Sequence, residues 1–463
     1  MDISTTQRKL VVTILLSAAF ISILNQTLLM IAMPPIMADF KIKASEAQWL
    51  TTIYLLTNGI LIPITAFLIG RFSNKALLSV ALALFSVGTL LGAFASNYTV
   101  LLVARVIQAA GAGIIMPLMQ TVLLTMYPKE NRGAVMGMAG LVTGFAPAIG
   151  PTLSGWLIEQ FTWRYLFYTM IPVSIVVLIM ALFMMKNVTK KQPGQFDTLS
   201  VILSSFGWGG LLYGFSVAGS AGFGDTIVWV SLVIGSISLG AFIYRQLNMD
   251  KPILEFRVFQ SKVFTISTLL SALVYVLMIG SQILLTFYVQ NVRQMSALET
   301  GFMLLPGALV MGFFSPQAGK IFDKFGGKWL AIIGFGLILI GTPAYVFLSM
   351  DTSIWFIAFL FSLISLGVSM IMMPLTTAGM NALPIHLMAH GTAVSSTLRM
   401  VAGAIVSALL VTIMSSVMNL YEKLPLTESM LYGIRMAFVA AGLLSLGGFV
   451  LALVYKEAPR NAR

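Results

Sequence analysis

The chain has 463 residues, of which 58% are hydrophobic and only 9% are charged. Soluble domains carry about 25% charged residues, so this composition excludes an ordinary soluble protein and indicates a protein embedded in the lipid bilayer. No cysteine is present, which excludes disulfides, thiolate metal sites and cysteine nucleophiles.

Apolar segments of roughly 20 residues, long enough to cross a bilayer, follow one another along the whole chain. The first is too long for the apolar region of a signal peptide and has no convincing cleavage site, so we expect an uncleaved span. The sequence therefore predicts an all-α membrane protein with fourteen membrane-spanning helices. The predicted spans are 10–33, 47–69, 76–97, 100–122, 133–157, 165–186, 198–218, 227–244, 263–290, 300–317, 328–349, 353–376, 391–418 and 430–455.

Basic residues are distributed unevenly between the two ends of these spans. If the N-terminus lies in the cytoplasm, nineteen of the 27 Lys and Arg residues fall in cytoplasmic segments and five fall outside. This is the positive-inside asymmetry of membrane proteins, and it predicts that both termini are cytoplasmic. The net charge of +12 thus orients the chain in the membrane, and we expect no nucleic-acid partner.

Two polar loops divide the spans into groups. The loops KNVTKKQPGQFD (186–197) and YRQLNMDKPILEFRVFQSK (244–262) enclose the seventh and eighth spans and leave six on either side. This layout predicts two related six-helix bundles plus two additional central helices. The predicted domains are residues 1–190, the inserted pair 191–250, and residues 251–463.

A weak internal repeat supports that division. AFLIGRFSNK (66–75) follows the second span, and GKIFDKFGGK (319–328) follows the tenth. Such repeats are typical of secondary transporters, whose substrate site lies between the halves. The first copy has Gly70 and Ser73 at the positions where the second copy has the acidic Asp323 and the glycine Gly326. The second copy resembles the loop signature G-x-L-a-D-R-x-G-R-K of the major facilitator superfamily at five positions: Gly319, Asp323, Lys324, Gly326 and Lys328.

Fourteen spans with a central hairpin resemble the drug:proton antiporter family typified by the quaternary-ammonium and lincomycin resistance exporters. The resemblance covers essentially the whole chain. It implies the major facilitator fold and a multidrug efflux transporter of the bacterial cytoplasmic membrane, which exports amphiphilic drugs by proton-coupled antiport through alternating access. Asp323 would then pair with a helix N-terminus or a basic residue across the two halves and hold one conformation closed. The alternative is an ordinary basic loop that contains one acid.

The fourth span contains RVIQAAGAG (105–113), which resembles the family motif R-x-x-Q-G, with Ala109 at the glycine position. An arginine within a span costs roughly 2.5–3.5 kcal/mol on insertion scales and should face a cavity or a partner. In the family this arginine, here Arg105, is associated with proton coupling. The alternative is an arginine near the outer end that reaches the interface. Helical spacing puts five residues on one face of this span: Arg105, Gln108, Ala112, Met116 and Gln120.

The fifth span contains GMAGLVTGFAPAIGPTLSG (137–155), which resembles the antiporter signature G-x8-G-x3-G-P-x2-G-G. The resemblance implies an exporter. The alternative is close helix packing, which small residues permit, without any directional meaning. The matching positions are Gly137, Gly150, Pro151 and Gly155, whereas Ala146 and Ser154 replace two glycines.

The first span places two neutral amides, Asn25 and Gln26, where many fourteen-span relatives have an aspartate thought to serve cations or protons. An asparagine does not titrate in the physiological range, so Asn25 cannot carry a coupling proton. We expect the two amides to line a substrate cavity together with Gln108, Met116 and Gln120, or to join helices by hydrogen bonds.

None of the fifteen acidic residues lies near the centre of a predicted span. A cavity without buried carboxylates should favour neutral or zwitterionic amphiphiles over fixed dications. Glu46 and Glu159 could be rim charges that are drawn into a vestibule, or solvated rim charges only. The two histidines could titrate, or could cap a loop. Besides Arg105, the proton-coupling candidates are Glu46, Glu159, Asp323, His386 and His390.

The segment GTAVSSTLRMVAGAIVSALL (391–410) resembles a later helix of the lincomycin-type exporters. Arg399 lies within it, and Arg435 lies in the last span. Each of these arginines could meet an anionic group or could donate hydrogen bonds to backbone carbonyls.

Two other functions remain open: export of an endogenous lipid, peptide or metabolite with incidental drug efflux, and a membrane sensor that transports nothing. We expect no enzyme, because the sequence has no metal-ligand cluster, nucleophile triad or phosphate-binding loop. The expected partners are the lipid bilayer, amphiphilic small-molecule drugs and protons, with no cofactor and no metal. The expected assembly is a monomer or a weak homo-oligomer.

Overall fold

The structure is a computed structural model that describes residues 4–188, 197–421 and 423–457. Within these ranges it contains helices and turns and no strand. The helices are α1 (Thr5–Ile31), α2 (Met33–Phe40), α3 (Ala44–Arg71), α4 (Asn74–Ala93), α5 (Tyr98–Met126), α6 (Arg132–Gln160), α7 (Tyr165–Met184), α8 (Thr198–Ala221), α9 (Thr226–Leu247), α10 (Lys262–Phe287), α11 (Ala297–Phe325), α12 (Lys328–Ala344), α13 (Ile354–Asn381), α14 (Met388–Leu420) and α15 (Leu426–Val454).

Fourteen of these helices are long and apolar enough to cross a membrane, which confirms the predicted fold class. Helices α1 and α3–α7 form one six-helix bundle, α10–α15 form the other, and α8 and α9 lie between them in the chain. The predicted boundary between residues 190 and 191 lies outside the described residues, and both domain boundaries stay predictions. The short helix α2, which the sequence analysis did not predict, follows the first span.

Because successive spans alternate in direction, α1 begins and α15 ends on the same side of the bundle. We call this the terminal side of the protein and the opposite side the far side. Helices α6, α12 and α14 begin on the terminal side, whereas α3, α5 and α11 begin on the far side.

The tenth predicted span was too short at its C-terminal end. It was predicted to end at residue 317, but α11 continues to Phe325. Lys324 lies in the last helical turn, where a cation interacts favourably with the helix dipole. Gly326 then ends the helix at φ +85°, a conformation that side chains disfavour. Gly319 and Asp323 therefore lie on a helix rather than in a loop.

The two bundles meet along a seam between α6 and α11 that is lined by glycine. A Cβ atom added to Gly137 on α6 would lie 2.5 Å from the carbonyl oxygen of Ser315 on α11. A Cβ atom added to Gly133 would lie 2.4 Å from the carbonyl oxygen of Gly319. Only glycine permits backbones to approach this closely, so these residues set the distance between the bundles.

Helix α8 fills a second seam, between α3 and α14. The hydroxyl groups of Thr52 on α3 and Ser216 on α8 lie 3.3 Å apart. Two turns before Ser216 on α8, the buried Trp208 packs in one apolar cluster with Val401 of α14. The inserted hairpin therefore contacts both bundles.

Candidate functional site

A buried polar network occupies the interior of the first bundle, and Arg105 is its charged member. The Arg105 side chain is 0% exposed. Its Nε–H donates to the carbonyl oxygen of Leu50 at 3.3 Å, and its Nη1 donates to Oε1 of Gln108 at 3.0 Å. The guanidinium carbon lies 4.1 Å from the ring centroid of Tyr54, within cation–π range. The arginine thus does not reach the interface; it is held between α3 and α5.

Gln108 connects this arginine to α1 and α4. Its amide nitrogen donates to Oγ1 of Thr89 at 2.9 Å and to Oδ1 of Asn25 at 3.4 Å. Two N–H-bearing atoms in the network, Nη2 of Arg105 and Nδ2 of Asn25, are buried without a hydrogen-bond partner. Asn25 therefore joins two helices, and its role in a substrate cavity stays a prediction.

The remaining predicted cavity residues lie outside this network. Gln26 and Met116 are half-buried. Gln120 is fully buried, and neither atom of its amide has a hydrogen-bond partner. Conversely, Tyr54 and Thr89 belong to the network but were not predicted, because a tyrosine or threonine in an apolar helix gives no signal in the sequence.

Arg399 is the buried cation of the second bundle. Its Nη1 donates to the hydroxyl groups of Thr376 and Ser395, each at 3.2 Å, and its Nη2 donates to the hydroxyl group of Ser396 at 3.1 Å. Arg435 differs, since its Nε–H donates to the carbonyl oxygen of Leu348 at 2.7 Å. Arg435 therefore contacts a backbone carbonyl, which is one of its two predicted partners. For Arg399, the choice between an anionic group and backbone carbonyls stays open.

Acidic side chains are absent from the interior in the parts of the chain that the structure describes, which leave out Asp2 and Glu422. The buried charged side chains there are Arg105, Arg132 and Arg399. The buried charges of the described residues are therefore all cationic.

The other proton-coupling candidates lie at helix ends. Glu46 is exposed and accepts a hydrogen bond from the backbone N–H of Lys43 at 2.8 Å, as part of a helix cap. Glu159 is exposed as well. His390 is half-buried, and its Nδ1 accepts from the backbone N–H of Glu255 at 3.2 Å, which is a loop contact.

Asp323 joins the two bundles on the terminal side. Its two carboxylate oxygens accept hydrogen bonds from the backbone N–H groups of Gly133 and Ala134, each at 2.7 Å. These residues form the first turn of α6, so the carboxylate caps a helix N-terminus of the other bundle. Nearby, Arg132 on α6 donates to Oδ1 of Asn381 on α13 at 2.8 Å.

A pair of threonines makes a further contact between the bundles. The hydroxyl groups of Thr121 on α5 and Thr392 on α14 lie 2.8 Å apart. Residue 121 is near the end of α5 and residue 392 is near the start of α14, so this contact also lies toward the terminal side.

The matched positions of the fifth-span signature have different surroundings. Gly137 contacts the other bundle, whereas a Cβ atom on Gly150 would meet the side chain of Thr27 in the same bundle. Gly155 has more room, since its nearest neighbour would be Leu298 at 3.5 Å. Helix α6 continues through Pro151.

Two ion pairs join helix ends. Arg164 donates to Asp39 at 2.7 Å, and this hydrogen bond lowers the pKa of the aspartate. Arg245 donates to both oxygens of Asp197, at 2.7 and 3.1 Å. These bonds lower the pKa of Asp197 and tie the start of α8 to the end of α9.

The sequence of the whole chain is similar to those of known transporters. It is 54% identical over 455 residues to the uncharacterized MFS-type transporter YcnB of Bacillus subtilis, covering 98% of this chain and 96% of the relative. It is 37% identical over 453 residues to the lincomycin resistance protein LmrB of the same organism, covering 96% and 95%.

The fold is similar to that of a solved structure, the human organic anion transporter MFSD10 (TETRAN). The TM-score is 0.68 at 14% sequence identity, covering 96% of this chain and 99% of the other. At that identity the likeness concerns the fold alone. The family model described as Major Facilitator Superfamily matches residues 15–407. The chain is therefore a multi-pass membrane protein that belongs to the major facilitator superfamily of transporters.

Proposed function

We propose that this protein exports amphiphilic small molecules, including drugs, across the bacterial cytoplasmic membrane by proton-coupled antiport, with both termini in the cytoplasm. The observation that carries this proposal is the 37% identity to a lincomycin resistance protein over nearly the whole chain. The uneven distribution of basic residues supports the orientation, with the terminal side facing the cytoplasm.

Alternating access would proceed by rocking of the two bundles. The contacts of Asp323 with Gly133 and Ala134, and that of Thr121 with Thr392, hold the bundles together on the terminal side. Loading from the cytoplasm requires these contacts to break, and release on the far side allows them to form again.

Proton coupling has to use groups at the margins of the bundles, since the described core has no carboxylate. Asp323 suits this role best, because protonation would remove the charge that accepts two hydrogen bonds from the other bundle. A carboxylate at a helix N-terminus contributes about 0.3–1 kcal/mol, and up to about 2 kcal/mol when partly buried. One proton crossing 100 mV releases about 2.3 kcal/mol, which exceeds that contribution.

Flux measurements test this proposal. Purified protein in proteoliposomes should accumulate an uncharged amphiphilic drug against its gradient when a pH gradient is imposed, and should do so poorly with a fixed dication. Asp323→Asn should keep drug binding but lose uphill transport, whereas Glu46→Gln, Glu159→Gln and His390→Gln should keep both.

Other outcomes would point elsewhere. No flux of any compound under a pH gradient would favour a sensor. A deletion strain with altered lipid content and normal drug accumulation would favour export of an endogenous lipid. Uphill transport by Asp323→Asn at the rate of the wild type would contradict the assignment of the coupling group.

A further inference from the structure

We propose that Arg399 binds a negatively charged group of the cargo, so that the transporter selects anionic or zwitterionic amphiphiles. This inference rests on the proposed export function and names the class of molecule that the same core accepts. The negative group would be a carboxylate, phosphate or sulfonate, and the rest of the molecule would be apolar.

Arg399 lies within a membrane-spanning helix. Helix α14 begins at Met388 on the terminal side, and a rise of 1.5 Å per residue puts Arg399 about 16 Å along the helix. Helix α14 has 33 residues and is about 50 Å long, so Arg399 lies about a third of the way along this membrane-spanning helix. The residue is 5% exposed.

The charge of Arg399 has no counter-charge. It donates hydrogen bonds to three neutral hydroxyl groups, and no described carboxylate is buried in the bundle around it. Two arginines at helix ends are paired with acids, Arg164 with Asp39 and Arg245 with Asp197. A charge within the membrane is costly unless it is paired, and it marks a functional site by default. An anion carried by the cargo would supply the missing charge.

The hydroxyl groups around Arg399 can bind an anion as well. Ser395 and Ser396 each accept a hydrogen bond from the guanidinium through the oxygen. A hydroxyl that accepts in this way still has its own hydrogen to donate. The guanidinium and two serine hydroxyls therefore form a set of donors that suits a multi-oxygen anion.

Half-buried apolar side chains adjoin this donor set. One of them is contributed by α10, which packs against α14. One turn after Arg399, a Cβ atom on Gly403 would lie 3.0 Å from the ring of the half-buried Tyr275 of α10. A site with one positive charge, that of Arg399, and apolar side chains beside it suits an amphiphile with one negative group.

Arg105 is the less suitable cation for this role. It is fully buried between helices of one bundle and is engaged by the Leu50 carbonyl, the Gln108 amide and the Tyr54 ring. We therefore assign the cargo contact to Arg399, and the positive charge of Arg105 adds to a core that repels cations.

The test uses three analogues of one fluorescent amphiphile that end in a carboxylate, an amide or an ammonium group. Binding to the full-length protein in nanodiscs is measured by fluorescence anisotropy. The wild type should bind the carboxylate analogue about tenfold or more tightly than the ammonium analogue. Arg399→Gln should lose that advantage and bind the amide analogue as before, whereas Arg399→Lys should keep a preference for the carboxylate.

Several outcomes separate this inference from the proposed function. Equal binding of the three analogues by the wild type, or an equal loss for all three in Arg399→Gln, would overturn the inference even if drug efflux is observed. If Arg399→Gln does not fold, the wild-type preference and the Arg399→Lys result still decide. Carboxylate-selective binding without flux in proteoliposomes would sustain the inference and contradict the export function.

Discussion

Asp323 at the end of α11 accepts a hydrogen bond from the backbone N–H of Gly133 at the start of α6, at 2.7 Å. The two residues belong to different bundles, so a single carboxylate connects them. The corresponding position of the first bundle is Gly70, near the end of α3, which has no side chain to make the equivalent contact. Only the second copy of the motif therefore supplies a carboxylate between the bundles. Single substitutions of Asp323 test its role.

The substitution Asp323→Asn should favour opening on the terminal side. An asparagine presents one acceptor and one donor, so it cannot accept from Gly133 and Ala134 together. Loss of about 1 kcal/mol of capping free energy should change the ratio of open to closed forms roughly fivefold. The rate at which an impermeant maleimide labels a cysteine introduced by Thr392→Cys measures this change.

A matched control exists in the same bundle. Glu457 accepts from the backbone N–H of Gly327 at 2.7 Å, a cap made within the second bundle only. Glu457→Gln should therefore leave the labelling rate as it is in the wild type. Faster labelling in Glu457→Gln than in Asp323→Asn would contradict the assignment.

Gly137→Ala should separate the bundles. The added Cβ would lie 2.5 Å from the Ser315 carbonyl oxygen and 2.9 Å from Cα of Pro316, and backbone atoms cannot move aside cheaply. Overpacking of this kind costs about 1–3 kcal/mol, so transport should slow and the melting temperature should fall. Gly336→Ala is the control, because its nearest neighbour would be at 3.8 Å; equal losses in both variants would argue against a tight seam.

Gln108→Leu should destabilise the first bundle. The substitution removes the acceptor for Nη1 of Arg105 and the donor to Thr89 and Asn25. A buried polar group left unpaired costs about 1–3 kcal/mol, so thermal denaturation of the purified protein should begin at a lower temperature. Gln26→Leu, a half-buried amide on α1, should have a smaller effect; the reverse order would contradict the network.

The ion pair at the base of the inserted hairpin should make stability depend on pH. Arg245 lowers the pKa of Asp197 below its ordinary 3.8, so the pair stabilises the fold at neutral pH. That contribution is lost as the pH falls through the lowered pKa. Asp197→Asn and Arg245→Gln should both melt earlier than the wild type at pH 7, and the difference should shrink below about pH 4. A difference that stays constant with pH would exclude this pair as its source.

The sequence was sufficient to predict the fourteen spans, because apolar segments of membrane length are unambiguous. It was insufficient at the end of α11, where Asp323 and Lys324 resemble a loop in composition but lie in the last helical turns. The end of this helix is stabilised by Lys324 in its last turn, by the Gly326 cap and by contact with α6. Local hydropathy reports none of these interactions.

The site was predictable in its residue types more than in its arrangement. Arg105, Gln108 and Asn25 could be singled out, because polar groups in apolar segments are rare and costly. The participation of Tyr54 and Thr89 could not, since it depends on which faces of α3 and α4 turn inward. The contact of Arg399 with Thr376 likewise depends on the packing of α13 against α14, whereas Ser395 and Ser396 lie within about one turn of Arg399 on its own helix.

The central claim is that the bundles rock about contacts on the terminal side, and one cross-link tests it most directly. The hydroxyls of Thr121 and Thr392 lie 2.8 Å apart, and the chain has no cysteine of its own. The double variant Thr121→Cys/Thr392→Cys should form a disulfide that abolishes pH-driven efflux in proteoliposomes, with activity restored by reductant and unaffected by oxidation in either single variant. Efflux at the full rate by the cross-linked protein would contradict the claim.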